Sequence, residues 1–275
     1  MIFTLELVIV AAITGLVSGL IGVGGGFLFV PLLTLIGVPM RSAAGLSLLY
    51  VACISVSGAV AHYRQGTADP VVAGAAVPGA LVTVSVGSYC SSLLPNNLLE
   101  LLFGVLVLGA AVALRWQSKQ QWPFPGASVL RSGLAHPFGV VLRRGKVHGA
   151  EYVYPVSLLY GIGVGGVTGF FSGLLGIGGG WLLTTLFILV VGLPVPIAVG
   201  TSLLSIVFPS AVGAVTHYGL GHIDIAAAIP TVLAGILGAL LGVKGTAILS
   251  ASRLQTIMVW LLAVVAVYMI GRGIL

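Results

Sequence analysis

The chain has 275 residues, 59% of them apolar and only 6% charged, with a mean hydropathy of +1.21. Soluble domains carry about 25% charged residues, so a soluble core is excluded and a polytopic membrane protein is indicated. The net charge of +6 is concentrated in one central segment, where Arg115, Lys119, Arg131, Arg143, Arg144 and Lys146 occur with no acid between Glu100 and Glu151; the positive-inside rule places that segment in the cytoplasm and accounts for it without nucleic acid.

A span of the hydrocarbon core takes about 20 apolar residues. Residues 4–22 form the first, and no basic n-region or cleavage site marks it for removal. It runs into Ser18-Gly19-Leu20-Ile21-Gly22-Val23-Gly24-Gly25-Gly26-Phe27. Each interior glycine costs a helix about 1 kcal/mol against alanine, so the triplet predicts a break. A short piece, 27–36, then continues to Gly37-Val38-Pro39, and further spans follow at 43–61, 71–93 and 97–114. Arg41, the group His62, Arg64 and Asp69, and Pro95-Asn96-Asn97 mark the connections. Cys53 and Cys90 lie within spans and have no metal-ligand spacing, which makes them small buried hydrophobes.

The central loop covers 115–152. Trp116, Trp122 and Pro123-Phe124-Pro125 suit an interface, and residues 128–142 are apolar enough for a surface helix. The second half then repeats the plan, with spans at 155–176, 197–216, 225–249 and 254–271 and a short piece at 181–191. The glycine stretch returns as Ser172-Gly173-Leu174-Leu175-Gly176-Ile177-Gly178-Gly179-Gly180-Trp181, shifted by 154 residues and identical at seven of ten positions. At a shift of 155, Val38-Pro39 matches Leu193-Pro194, Gly45-Leu46-Ser47 matches Gly200-Thr201-Ser202, His62-Tyr63 matches His217-Tyr218, Asp69 matches Asp224 and Gly87 matches Gly242. So many coincidences indicate internal duplication. The fold class is therefore an all-α polytopic membrane protein of about eight transmembrane segments. Its organisation is a first repeat at 1–114, a basic cytoplasmic loop at 115–152 and a second repeat at 153–275.

Corresponding glycine-interrupted segments in paired halves point to a transporter with its site where the breaks meet. A helix restarting after a glycine triplet presents unbonded N–H groups and a positive dipole end, a ready site for an anion. Gly24, Gly25, Gly26 and Phe27, with Gly178, Gly179, Gly180 and Trp181, are the candidate substrate-binding residues, to which Ser47, Thr201 and Ser202 add hydroxyls. The competing reading is that the glycines only let helices cross closely and that the hydroxyls bond their own helix. His62 and His217 end equivalent helices, where they either gate or cap. Lys244 is the basic residue deepest in a span, but its counterpart is Tyr89, so the repeat does not support a role for it.

The pattern Gly19-x-x-Gly22-x-Gly24-Gly25-Gly26, then Pro31-Leu32-Leu33 and Ala44-Gly45-x-Ser47, each with a second copy, resembles the sulfite exporter TauE/SafE family over nearly the whole chain. One departure is Thr184-Thr185 in place of Val30-Pro31. The resemblance implies an inner-membrane carrier or uniporter of small sulfur anions such as sulfite, sulfoacetate and taurine-related sulfonates. Carboxylates are an alternative cargo, and a channel or an intramembrane assembly factor an alternative class. No phosphate-binding loop, His-Glu-x-x-His, Gly-x-Ser-x-Gly or paired carboxylates occur, so no enzyme activity, metal or other cofactor is expected. The expected partners are a small anion and the lipid bilayer, with a homodimer left open and no nucleic acid. An N-terminus without Lys or Arg favours an outside location, and with it inverted rather than parallel repeats.

Overall fold

The computed structural model describes residues 2–21, 24–119, 140–147, 150–245 and 251–274. It contains α1 (Ile2–Ile21), α2 (Gly26–Leu35), α3 (Met40–Arg64), α4 (Pro70–Leu93) and α5 (Asn96–Lys119). A hairpin of β1 (Val140–Val147) and β2 (Ala150–Ser157) follows. The second half has α6 (Leu158–Leu175), α7 (Gly180–Leu186) extended by a π-helical turn (Phe187–Val191), α8 (Val195–Gly219), α9 (Ile225–Gly245) and α10 (Ala251–Ile274). Among the described residues, α3, α4, α8 and α9 are each long and apolar enough to cross a membrane.

The duplication is visible in local geometry. Pro39 and Pro194 open α3 and α8 with the same backbone, φ −57 and ψ 143 against φ −57 and ψ 141. Gly66 and Gly221 turn the chain after these helices at φ 71 and 75. Asp69 and Asp224 then cap the next helices, each carboxylate accepting a backbone N–H two residues on at 2.9 Å.

Packing exchanges partners between the halves. Helix α1 lies on α9 and α4 on α6, while α3 meets α8 and α5 meets α10. In lipid, apolar surface gives helices little reason to associate, so close approach through small residues matters. A Cβ at Gly87 would stand 2.1 Å from the Phe170 carbonyl, and one at the matching Gly242 would stand 2.1 Å from that of Leu16. The start of α3 meets the end of α8, where a Cβ on Gly45 would be 3.0 Å from His217 Cβ. The start of α8 meets the end of α3, with 3.0 Å between a Cβ on Gly200 and His62 Cβ. Helices α3 and α8 therefore run antiparallel.

One expectation is corrected. The central segment is not all helix or loop: residues 140–142 of the predicted surface helix belong to β1, paired antiparallel with β2 from Val140↔Ser157 to Val147↔Ala150. The rest of that prediction, 128–139, lies outside the described residues, as do Trp122, Pro123-Phe124-Pro125 and Arg131. The side chains of Trp116 and Lys244 also lie outside them. The short helices do not carry on in line after the glycines. A Cβ on Gly25 would touch Ser18 Cβ at 3.0 Å, although seven residues of straight helix span about 10 Å. The chain turns back on itself at the triplet.

Interior contacts of this kind should tolerate no added atom. Gly165→Ala, whose Cβ would meet the Ala76 carbonyl at 2.0 Å, should destabilise the protein by roughly 1–3 kcal/mol. Gly163→Ala, which meets nothing within 4 Å, should not. Thermal unfolding in detergent checks the pair.

Candidate functional site

Each break is built from consecutive left-handed residues, Gly24 and Gly25 at φ 79 and 64, and Gly178 and Gly179 at φ 69 and 76. Side chains are strained there. The two breaks meet in the interior: a Cβ on Gly24 would be 3.8 Å from Gly180 Cα, and one on Gly26 would be 2.4 Å from the Ile177 carbonyl. The contact is reciprocal, since Ile206 of α8 faces Gly24 and its counterpart Val51 of α3 faces Gly178. The first i→i−4 bonds past the breaks are Phe29 N–H to Gly25 at 3.0 Å and Leu183 N–H to Gly179 at 2.7 Å. The N–H groups of Phe27, Gly180, Trp181 and Leu182 lie ahead of them, where a helix offers no carbonyl.

A narrow cavity adjoins the second break, with about 10 Å³ open to the centre of a water molecule. Its walls come from α4 (Ala76, Ala80), α6 (Thr168, Gly169, Ser172), the break itself (Gly178, Gly179), and α7 and α8 (Leu183, Ser205, Ile206, Pro209). The described lining carries no charged residue. Ser172 is 3% exposed and its Oγ has no hydrogen-bond partner; the indole N–H of Trp181, 1% exposed, has none either. A buried unpaired polar group costs about 1–3 kcal/mol.

The mirror-image place in the first half is filled. Tyr50 stands where the second half has Ser205, and Phe29 where it has Leu183. The two rings stack with centroids 4.2 Å apart, and Tyr50 is fully buried. Its hydroxyl donates to the Ala11 carbonyl at 3.1 Å and lies 3.0 Å from Thr14 Oγ1. A Cβ on Gly235 would strike this ring at 2.0 Å. Among the described residues, the surroundings of the two pseudo-symmetric breaks are thus not symmetric.

The predicted hydroxyls divide. Ser202 Oγ lies 2.6 Å from Thr184 Oγ1 and donates to the Val199 carbonyl at 2.8 Å, the local bonding weighed above. Ser47, its counterpart, is fully buried without a partner; Val30 stands where the second half has Thr184. Thr201 Oγ1 accepts the Asp69 N–H at 2.9 Å, joining the halves. The histidines hold turns. His62 Nδ1 bonds Thr67 Oγ1 at 2.8 Å, and since Thr67 spends its proton on the His62 carbonyl, the imidazole is the donor. His217 Nε2 must donate to the Gly173 carbonyl at 2.9 Å, so its Nδ1 accepts from His222 Nδ1–H at 2.9 Å. Neither histidine touches a break, although Gly173 adjoins Ser172.

Sequence reasoning missed the cluster at the head of α4, one of the helices that line this cavity. Arg143 Nε and Nη2 grip Asp69 Oδ2 and Oδ1, each at 3.0 Å, and Tyr154 donates to Oδ2 at 2.9 Å. Asp69 is 5% exposed and Tyr154 3%. Burial alone would raise the Asp69 carboxyl, but the Arg143 guanidinium, the Tyr154 hydroxyl and the Val71 N–H bring it below the usual carboxylate value. Burial and the adjacent carboxylate push the Tyr154 phenol up. The one available signal was the Asp69–Asp224 match, which says nothing of a partner on the central loop.

Broken apolar helices meeting beside an uncharged cavity place the protein among membrane transporters. The chain belongs to the sulfite exporter TauE/SafE family, whose pattern matches residues 7–269. It is 28% identical to the probable membrane transporter protein YunE of Bacillus subtilis over 98% of this chain and 97% of that one. It is 26% identical to the probable membrane transporter protein MJ0441 of Methanocaldococcus jannaschii over 96% and 94%. A sulfite exporter TauE/SafE family protein 5 of Arabidopsis thaliana is 28% identical over 46% of this chain and 28% of its own length. No solved structure matches the chain.

The Asp69 cluster yields a pH signature. Because the folded carboxyl is the stronger acid, its stabilisation is complete above the unfolded value of about 3.9 and fades as pH falls through the folded one. Asp69→Asn should cost about 1.5–3 kcal/mol at neutral pH, as loss of hydrogen bonds to a charged group does; Arg143, one-third exposed, turns to water and leaves no buried charge behind. Thermal unfolding of parent and variant should converge in acid.

Proposed function

We propose that this protein is a secondary carrier or uniporter of small sulfur-containing anions, such as sulfite and the organosulfonates sulfoacetate and taurine-related compounds, working as an exporter in the cell inner membrane. The observation that carries the reading is the meeting of two glycine breaks beside an uncharged cavity that holds an unpaired Ser172 hydroxyl. Backbone N–H groups and hydroxyls bind an oxyanion without Lys or Arg, and a weakly held ion is one that can be released. The family description supports the sulfur chemistry. Outward movement of one negative charge gains about 2.3 kcal/mol per 100 mV of inside-negative potential, so export needs no coupled ion.

The site residues in this reading are the two triplets with Phe27 and Trp181, joined by Ser172 and Ser47. Thr201 and Ser202 keep a supporting part, since their hydroxyls are engaged by Asp69 and Thr184. The antiparallel run of α3 against α8 supports inverted repeats, because parallel repeats would set equivalent helices in the same direction. The cavity takes a water and not a sulfonate, so the bound state requires α4, α6 and α8 to part.

Proteoliposomes loaded with labelled sulfite or sulfoacetate test this under an imposed potential. Saturable flux should follow the potential and fall at least tenfold in Gly25→Leu and Gly179→Leu. Gly221→Ala, equally left-handed at φ 75 but in open space, should keep it. Equal flux in all four proteins would reduce the triplets to packing, and absence of any sulfur-anion flux would refute the cargo.

A further inference from the structure

The cavity's walls share a common tie at one end. Helix α4 begins at Asp69, whose carboxylate caps it through the Val71 and Val72 N–H groups. Helix α8 is held there by the Asp69 N–H bond to Thr201 Oγ1, and one turn deeper Ser205 Oγ, a lining group, donates to the Thr201 carbonyl at 2.7 Å. Helix α6 follows directly from β2, which carries Tyr154 onto the same carboxylate. Ala76, the first lining residue of α4, lies seven residues past Asp69, about 10 Å along the helix. Three walls of one cavity thus converge on a single buried carboxylate that Arg143 and Tyr154 of the hairpin clamp from above.

The equivalent position in the second half lacks this arrangement; the pair at that end, buried Glu100 with Arg272, ties α5 to α10 and not the walls of a cavity. Asp224 occupies the equivalent position, yet it is exposed and, among the described residues, forms no ion pair. Leu46 stands where Thr201 would bond it. The mirror cavity on that side is the one filled by Tyr50. At the capping position that heads the walls, the clamp accompanies the open cavity at Asp69 and, among the described residues, is missing at Asp224 beside the filled place.

We propose that the Arg143–Asp69–Tyr154 clamp is the gate of the transport path on the hairpin face: it must open for α4, α6 and α8 to part and admit the substrate. A two-point arginine–carboxylate pair suits this role, being directional and sizeable while made yet contained in one side chain of 33% exposure that can swing to water. The positive-inside rule sets this face in the cytoplasm, the side from which an exporter loads. The inference rests on the transport reading above, but its test does not need the substrate.

In the full chain with Cys53→Ala and Cys90→Ala, Thr168→Cys puts one thiol in the cavity wall. Membrane vesicles exposing the hairpin face are treated with a membrane-impermeant maleimide. Labelling should be slow in this parent and several-fold faster in Arg143→Gln and in Tyr154→Phe, the second removing only a hydroxyl so that folding is spared. Asp224→Asn should label at the parental rate, and the opposite vesicle orientation should show no difference among the four. A parental rate in either hairpin variant, or equal acceleration in Asp224→Asn, overturns the gate. Accelerated labelling in a protein that moves no sulfur anion would leave the gate standing and remove the cargo, whereas sulfur-anion flux with unchanged labelling would do the reverse.

Discussion

Backbone that leaves the helical path inside a bilayer must find partners within the protein, because hydrocarbon offers none. That constraint governs this fold. Two consecutive left-handed glycines interrupt each half, and the interruption is sustained because each break is buried against the other and against the span that follows. Val51 closes over Gly178, and Ile206 over Gly24. With the halves apart, both breaks would lose this cover. The exchange of partners between halves, α1 on α9 and α4 on α6, brings the two breaks together and fastens them.

Duplication supplies this frame, and departures from it supply the site. A serine at 205 opens the space that a tyrosine at 50 fills. A threonine at 184 satisfies Ser202, whereas Val30 leaves Ser47 unpaired. The Asp69 carboxylate is clamped by the hairpin, and Asp224 remains in the open. A two-fold-related pair of sites would bind an anion twice. In the proposed reading, one such place is used and closed, which would give a single path with a defined end.

Much of the frame was legible in the sequence because it is local or repeated. Proline and glycine punctuation bounded α3 and α8 within a few residues, and the matched Gly24–Gly26 and Gly178–Gly180 located both breaks. What escaped depends on distance in the chain. Hydropathy does not tell a helix that carries on from one that doubles back, and the contact of Gly25 with Ser18 decides for reversal. The β-hairpin was obscured by Arg143, Arg144 and Lys146, which read as a solvated loop although Val140, Val141, Tyr152, Val153 and Tyr154 favour strands. The clamp on Asp69 joins residues 74 and 85 positions apart, a pairing that no local pattern encodes. The Tyr50–Ser205 difference was readable at the repeat shift, but its meaning needed the stacked Phe29.

The central claim is that the two breaks together hold one anion. A structure determined with sulfoacetate bound, in lipid, tests it most directly. The account predicts density for one sulfonate between the Gly24–Gly26 and Gly178–Gly180 segments, within hydrogen-bonding reach of Ser172 Oγ, with Tyr50 still filling the mirror place. A sulfonate bound elsewhere, or one in each half, would contradict it.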